Sequence, residues 1–355
     1  MKILQIIDSL NVGGAEVLAV NIANGLSEKG VDSFLCATRK EGDLKVNINE
    51  KVNYIFLNKK KSIDILAVFR LKKYIKKHEI QIIHAHTTSS FIAFCVKLIH
   101  PNIKLIWHNH TGAYINLSGK KLRILKWYSR YIDYIISVNK ELDSWSKLVL
   151  NHKNGAYISN FPVFSNQHKK TKLKGIKDKK IVCLAGLREV KDHINLLKAF
   201  VVVRNNFPEW TLHLIGKDYE DICSENIKLF IKEQDLETHV FLYGVQSDIK
   251  YILSQASLGV LSSKNEGLPI SLLEYGLANL PILVTNVGEC KNVINNANAI
   301  VESEDSIKFA KALMYIIESK EIKEQIRQSL NETVQQKFSK EAIIKELIYT
   351  YTKIC

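Results

Sequence analysis

Residues 258–285 read LGVLSSKNEGLPISLLEYGLANLPILVT, and the order of patterns in this stretch decides the fold. Residues 258–261 form a short apolar run. A polar stretch then leads through Asn265, Glu266, Gly267, Leu268 and Pro269 into a helical pattern opening at Ile270, and 281–285 is apolar again. Strand, loop, helix and strand in so short a span predict a βαβ crossover and therefore parallel strands. Gly267 and Pro269 suit a loop entering a helix N-terminus, where free backbone N–H groups and the helix dipole favour an anion.

The same rhythm runs upstream through apolar runs at 181–185, 211–215 and 239–243, each followed by a helical pattern. Residues 181–338 therefore read as one doubly wound domain. The first half alternates likewise, with runs at 3–7, 32–37, 52–57, 80–84, 104–107 and 134–138 between amphipathic stretches. That predicts about six strands in residues 1–160, an ordinary size for a doubly wound sheet. Between the halves lies FPVFSNQHKKTKLKGIKDKK, residues 161–180, basic and broken by Pro162 and Gly175, which reads as an exposed linker. Residues 339–355 are helical by period with no strand after them. They are free to pack across either domain, and packing back across the N-terminal one is the expectation.

A chain of 355 residues exceeds what one hydrophobic core usually holds, which agrees with two domains. Its net charge of +14 is uneven: residues 1–160 carry 24 Lys/Arg against 12 Asp/Glu, 161–180 carry 7 against 1, and 181–355 carry 19 against 23. Basicity thus belongs to the first half and the linker, and suits an anionic substrate, a membrane surface or nucleic acid, or no more than a soluble Lys-rich surface. Six scattered cysteines without a CxxC pair point to a reduced, cytoplasmic compartment and away from a zinc ribbon. The opening MKILQIIDSL reads as a strand, because Asp8 interrupts its apolar run.

Four further segments carry chemistry. Gly13 and Gly14 stand where the first strand turns into a helix, which makes either an anion-cradling loop or a plain tight turn. Neither GxGxxG nor GK[ST] is present there, so a dinucleotide fingerprint and a P-loop are excluded. Glu266 and Glu274 can accept hydrogen bonds from ribose and sugar hydroxyls, or serve as a capping and a solvated acid. Arg188 and Lys191, three apart after a strand, can neutralise a diphosphate or pair with Glu189 and Asp192. His84, His86, His108 and His110 fall at strand ends as two H-x-H pairs. With no acid or thiolate patterned beside them, hydrogen bonding to a sugar hydroxyl is preferred over zinc, and no metal is expected. The basic stretch Lys120, Lys121, Arg123, Lys126 and Arg130, interleaved with aromatic and aliphatic residues, reads as a membrane-surface helix or as a core helix with a solvated basic face.

In this order, GGAE, HAH, HNH, Asn160 at the boundary, R-x-x-K and EGLPISLLE, the chain resembles the family 4 (group 1) glycosyltransferases over nearly its whole length. The resemblance implies the GT-B fold, two Rossmann-like α/β domains facing across a cleft. It also implies a retaining, metal-independent transfer of sugar from a nucleotide-diphosphate donor, with UDP favoured, and no cofactor. By it Glu266 contacts the donor sugar, Glu274 the ribose, and the amides of Gly267, Leu268, Pro269 and Ile270 the sugar and phosphates. Arg188 and Lys191 become the phosphate-binding pair, Gly13 and Gly14 the glycine loop of the N-terminal domain, and His110 the active-site histidine, with His108 its competitor. His84, His86, His108 and Asn160 are left as acceptor or sugar contacts.

The implied acceptor is a saccharide or lipid-linked saccharide of cell-surface polysaccharide assembly, reached at the inner face of the membrane. The rival readings are a nucleotide-sugar epimerase on the same fold and a non-catalytic basic protein that binds nucleic acid. No nucleic-acid motif is present, so nucleic acid is not an expected partner. Two departures from the family pattern stand out, Asp192 after Lys191 and Leu277 with Asn279 after the second glutamate, at places where Gly, Ala and Gly are common. Base and sugar selectivity are where such changes are expected to act.

Overall fold

The computed structural model describes residues 1–61, 63–164 and 169–355; Ser165 to His168, part of the expected linker, lie outside the described residues. The described chain divides into two compact units, Met1–Asn160 with Lys340–Cys355, and Phe161–Ser339.

The first unit runs β1 (Lys2–Ser9), α1 (Gly14–Glu28), β2 (Asp32–Lys40), β3 (Asn53–Phe56), α2 (Ile65–His78), β4 (Ile82–His86), α3 (Ser90–Ile99), β5 (Lys104–Asn109), α4 (Gly119–Ser129), β6 (Tyr134–Ser137), α5 (Lys140–Leu148) and β7 (Gly155–Tyr157). The second runs β8 (Lys180–Leu184), α6 (His193–Asn206), β9 (Thr211–Ile215), α7 (Ile222–Glu233), β10 (Val240–Leu242), α8 (Ile249–Leu253), β11 (Leu258–Leu261), α9 (Ile270–Leu277), β12 (Ile282–Thr285), α10 (Cys290–Val293), β13 (Ile300–Val301), α11 (Ser306–Glu318) and α12 (Lys320–Lys337). The last helix, α13 (Lys340–Ile354), belongs to the first unit.

Both sheets are parallel throughout, ordered β3-β2-β1-β4-β5-β6-β7 and β10-β9-β8-β11-β12-β13. Each reverses direction beside its first strand, β1 or β8, and ligands of open α/β sheets bind at the carboxyl ends around that point. In the first unit α2, α3 and α4 cover one sheet face through Leu71, Ala93 and Leu125, and α1 covers the other through Ala19, Val20 and Ala23. There α13 docks against α1: a Cβ on Gly25 would stand 2.7 Å from Ile344 Cδ1, so the absence of a side chain permits the approach. Lys340 seals the contact by an ion pair with Glu28.

Each sheet has one strand more than the sequence pattern gives, β7 and β13. They have three and two residues, too few to show alternation. β4 starts at Ile82, two residues after the apolar run begins. Glu79 at φ +54° ends α2, and the Ile80 N–H returns to Ile75 O, so residue 80 closes the helix and does not open the strand. The shift places His84 and His86 inside the strand. The linker reading also needs correction, because residues 170–180 are pinned to the second unit. The N–H groups of Lys170 and Thr171 donate to Asp248 Oδ2 at 2.7 and 2.8 Å, that of Leu173 donates to Gln255 Oε1, and Leu173 itself is buried. Among the described residues no helix is long and apolar enough to cross a membrane.

Candidate functional site

In the second unit β8 delivers Gly186, Leu187 and Arg188, after which a single turn over Glu189–Lys191 leads into α6. Asp192 ends that turn at φ +49° and accepts from the Asn195 N–H, so one residue both takes the left-handed conformation and caps α6. Arg188 and Lys191 diverge instead of meeting. The Arg188 guanidinium lies 4.4 Å over the Tyr219 ring, and Lys217 approaches the same ring at 5.0 Å. Lys191 Nζ binds Glu266 Oε1 at 2.5 Å, and Ser263 Oγ donates to that same oxygen at 2.7 Å, leaving Glu266 Oε2 without a partner among the described residues.

The loop that carries Glu266 is fixed from three sides. Ser262 Oγ donates to the carbonyls of Lys191 and Asp192, Thr285 Oγ1 donates to Ser263 O, and the Glu289 N–H reaches Gly267 O at 2.9 Å. Gly288, at φ +54°, passes so close that a Cβ would overlap Glu266 O, so only glycine fits. Helix α9 then starts after Pro269 with no side chain capping it; the Leu272 N–H returns to Pro269 O, and the N–H groups of Ile270 and Ser271 are left without a partner among the described residues. Glu274 stands on this helix, half-buried and without a hydrogen bond or ion pair among the described residues, and burial pushes its carboxyl up to about 7. Gly267 faces open space. A cavity of about 590 Å³ is bordered by Arg188, Asp192, His193, Asn226 and Lys264; of the site residues expected from sequence Arg188 lines it, and Lys191, Glu266 and Glu274 do not.

In the first unit α1 begins after Gly13, again with no side-chain cap, and nothing stands within 4 Å of where a Gly14 Cβ would be. Asp8 at the end of β1 accepts from Thr38 Oγ1 and Thr88 Oγ1. The two H-x-H pairs lie in and just beyond neighbouring strands, in register His84 to Ile106 and His86 to His108, with Gln5 of β1 opposite His84. A spacing of two puts both members of a pair on one sheet face, and the four imidazoles stack with centroids 4.1–5.3 Å apart. Their nitrogens bond to one another and to Gln5 and Tyr351: His84 Nδ1 to Tyr351 Oη at 2.6 Å, His84 Nε2 to His108 Nδ1 at 3.1 Å, His86 Nδ1 to His110 Nε2 at 2.9 Å, and His86 Nε2 to Gln5 Oε1 at 2.8 Å.

Burial lowers every one of these imidazoles, His84 and His110 to about 3 and His86 and His108 well below the ordinary imidazole range, so all four are neutral at pH 7. His84, His86 and His108 are at most 1% exposed. The direct sugar contact expected of them is therefore closed off, and His110, half-buried, is the member a ligand can reach. Ligand nitrogens of His84, His86 and His108 fall within 4.8 Å of one another. In this structure His84 and His86 spend both ring nitrogens on hydrogen bonds and His108 spends Nδ1 on His84. Asn160 is half-buried, and its Oδ1 is closed in without a partner among the described residues.

Lys217, Tyr219, Ser263, Gly288, Gln5 and Tyr351 escaped the sequence reading as site residues. Lys217 and Tyr219 had a usable signal, since they follow the strand next to β8 at its carboxyl end. Tyr351 had none, because its partner His84 is 267 positions away.

Two family models match the chain: "Glycosyltransferase Family 4" over residues 12–145 and "Glycosyl transferases group 1" over residues 164–333. An uncharacterized glycosyltransferase of Haemophilus influenzae is 25% identical over 289 residues, covering 78% of each chain. The UDP-Gal:alpha-D-GlcNAc-diphosphoundecaprenol alpha-1,3-galactosyltransferase of Escherichia coli is 21% identical, covering 72% of this chain and 71% of its own. Among solved structures, Anabaena Alr3699/HepE in complex with UDP superposes with a TM-score of 0.77 at 17% identity, covering 99% of this chain and 100% of that one.

Proposed function

We propose a donor, an acceptor and a stereochemical course for a chain that belongs to the group 1 glycosyltransferases, and so is a transferase enzyme with the two Rossmann-like domains of the GT-B fold. The donor is a UDP-sugar held by the second unit. The reading rests above all on Glu274: a half-buried carboxylate with no partner among the described residues, on a helix whose N-terminus has no side-chain cap, is an acceptor waiting for ribose hydroxyls. The open Ile270 and Ser271 amides of α9 and the cations Arg188 and Lys191 would then face the diphosphate, and their value grows as negative charge develops on it. The UDP bound by the Anabaena neighbour favours uridine over other bases.

Glu266 keeps one oxygen on Lys191 and Ser263 and has the other free for the donor sugar. The transfer is taken as retaining and metal-independent, with the departing phosphate oxygen accepting the proton of the attacking hydroxyl. The acceptor is a saccharide or lipid-linked saccharide, supported by the diphosphoundecaprenol substrate in the name of the Escherichia coli relative. Its carrier lipid suits α4. Leu125 and Tyr128 of that helix are buried, whereas Ile124, Trp127 and Tyr131 are 40–53% exposed among Lys120, Lys121, Arg123, Lys126 and Arg130. Apolar side chains in a basic field are what an anionic membrane surface holds.

The test is a thermal-shift panel of UDP, GDP, ADP, TDP and CMP, with NAD and single-stranded DNA as controls, on wild type and Glu274→Ala. Stabilisation by UDP that vanishes in the variant is the expected result. A response to NAD or DNA alone would overturn the reading.

A further inference from the structure

The hydrogen-bond partners of the buried imidazoles leave them little choice of tautomer. The Gln5 Oε1 carbonyl only accepts, so His86 donates to it from Nε2–H, and the neutral His86 is left with a lone pair on Nδ1. That lone pair faces His110 Nε2 at 2.9 Å, so His110 must carry its proton on Nε2 and donate there. His110 Nδ1 is then a lone pair with no partner among the described residues, on the one ring of the four that is half-buried. A second chain runs beside the first. Tyr351 donates to His84 Nδ1 and His84 Nε2–H donates to His108 Nδ1, and the chain ends at a buried His108 Nε2 without a partner among the described residues. The orientation of Gln5 is consistent with both chains, because its Nε2 faces the Tyr351 oxygen at 3.5 Å.

We propose that Gln5 and His86 are positioning residues that act through His110, fixing its Nε2-protonated tautomer so that Nδ1 is a standing hydrogen-bond acceptor for a hydroxyl of the bound sugar. The assignment of a sugar to His110 rests on the transferase reading above; the tautomer does not. A group with a lone pair at that position welcomes a hydroxyl and rejects a carboxylate or phosphate oxygen, which has no proton to donate. Sugars bearing a neutral hydroxyl there are therefore accepted, and sugars with an anionic group in its place are disfavoured.

The first arm of the test needs no ligand. In protein carrying ¹⁵N-labelled histidine, His110 should show Nε2 protonated and Nδ1 bare, and Gln5→Met, which keeps the shape but removes the acceptor, should yield a mixture of tautomers. A wild-type His110 protonated on Nδ1, an unchanged tautomer in Gln5→Met, or stoichiometric zinc on these histidines would each overturn the proposal.

The second arm measures turnover of whichever of UDP-glucose, UDP-galactose and UDP-N-acetylglucosamine is consumed. Gln5→Met should lower kcat about 10-fold, the scale of one hydrogen bond, Gln5→Glu should restore it, and Gln5→Met in a His110→Ala background should cost nothing more. A loss that persists in that background would make Gln5 merely structural. Consumption of no UDP-sugar, with the tautomer arm intact, would sink the transferase reading and leave the relay standing.

Discussion

Replacing Glu274 with Gln separates what the site needs for ligand from what it costs the fold. Burial raises the Glu274 carboxyl from 4.5 to about 7, so the folded chain holds this proton more tightly than the unfolded one does. The favourable contribution is complete below about 4.5 and is lost as pH rises through about 7. At 1.36 kcal/mol per pH unit the difference has a ceiling of about 3 kcal/mol, and partial solvent access reduces it to about 1–2 kcal/mol. Glutamine has no charge to desolvate. Glu274→Gln should therefore leave stability almost unchanged at pH 4.5 and raise it by that amount at pH 8, which is a Tm about 3–6 °C higher for a unit of this size. The UDP-dependent rise in Tm should shrink at pH 8, because a carboxylate accepting from hydroxyls is worth about 1.5–3 kcal/mol and an amide less. Differential scanning calorimetry of wild type and variant at the two pH values, with and without UDP, reads all four quantities. A variant that gains no stability at pH 8, or gains equally at both pH values, would refute the idea that an unpaired desolvated charge sits there.

Three other outcomes are expected. Lys191→Met removes the cation on Glu266 and should lower kcat on a UDP-sugar by about 10²–10³-fold, the cost of losing one preorganised charge partner; a loss below 10-fold in steady-state assays would exclude that role. Tyr275→Phe removes the hydroxyl that accepts from the Leu184 N–H at 2.7 Å and lies 3.2 Å from the carbonyls of Val182 and Val260. The stranded N–H should cost about 1–3 kcal/mol, read as a lower urea midpoint for the second unit. The triple charge reversal Lys120→Glu, Arg123→Glu, Lys126→Glu should weaken co-sedimentation with phosphatidylglycerol vesicles by at least about 100-fold, from about 1 kcal/mol per basic residue. UDP binding should be untouched, and equal binding of both proteins to the vesicles would remove α4 as the membrane face.

The βαβ rhythm, and with it both parallel sheets, was legible because each long strand is a nearly continuous apolar run such as ILQII or KIVCL, the mark of strands covered on both faces. Glu266, Lys191 and Arg188 were legible as chemistry-bearing side chains at strand ends. Their pairing was not: Lys191 meets Glu266 across 75 positions and Arg188 turns to Tyr219, and neither choice is written in local spacing. The histidines show the same limit. An H-x-H pair reads identically on a loop and in a strand; the left-handed turn at Glu79 delays β4 to Ile82 and sets His84 and His86 inside it, beside His108 of β5.

Two of the three departing residues, Asp192 and Asn279, are better explained by the backbone than by the ligand. Asp192 and Asn279 stand where Gly is common, and both have positive φ, +49° and +58°. A left-handed position admits glycine freely and tolerates Asp and Asn best among other residues, since their short polar side chains bond locally. Asp192 gains the cap of α6 by that exchange, and Asn279 follows the end of α9, where its N–H closes on Gly276 O. Such substitutions preserve the turn that aims Lys191 and the turn that ends the Glu274 helix.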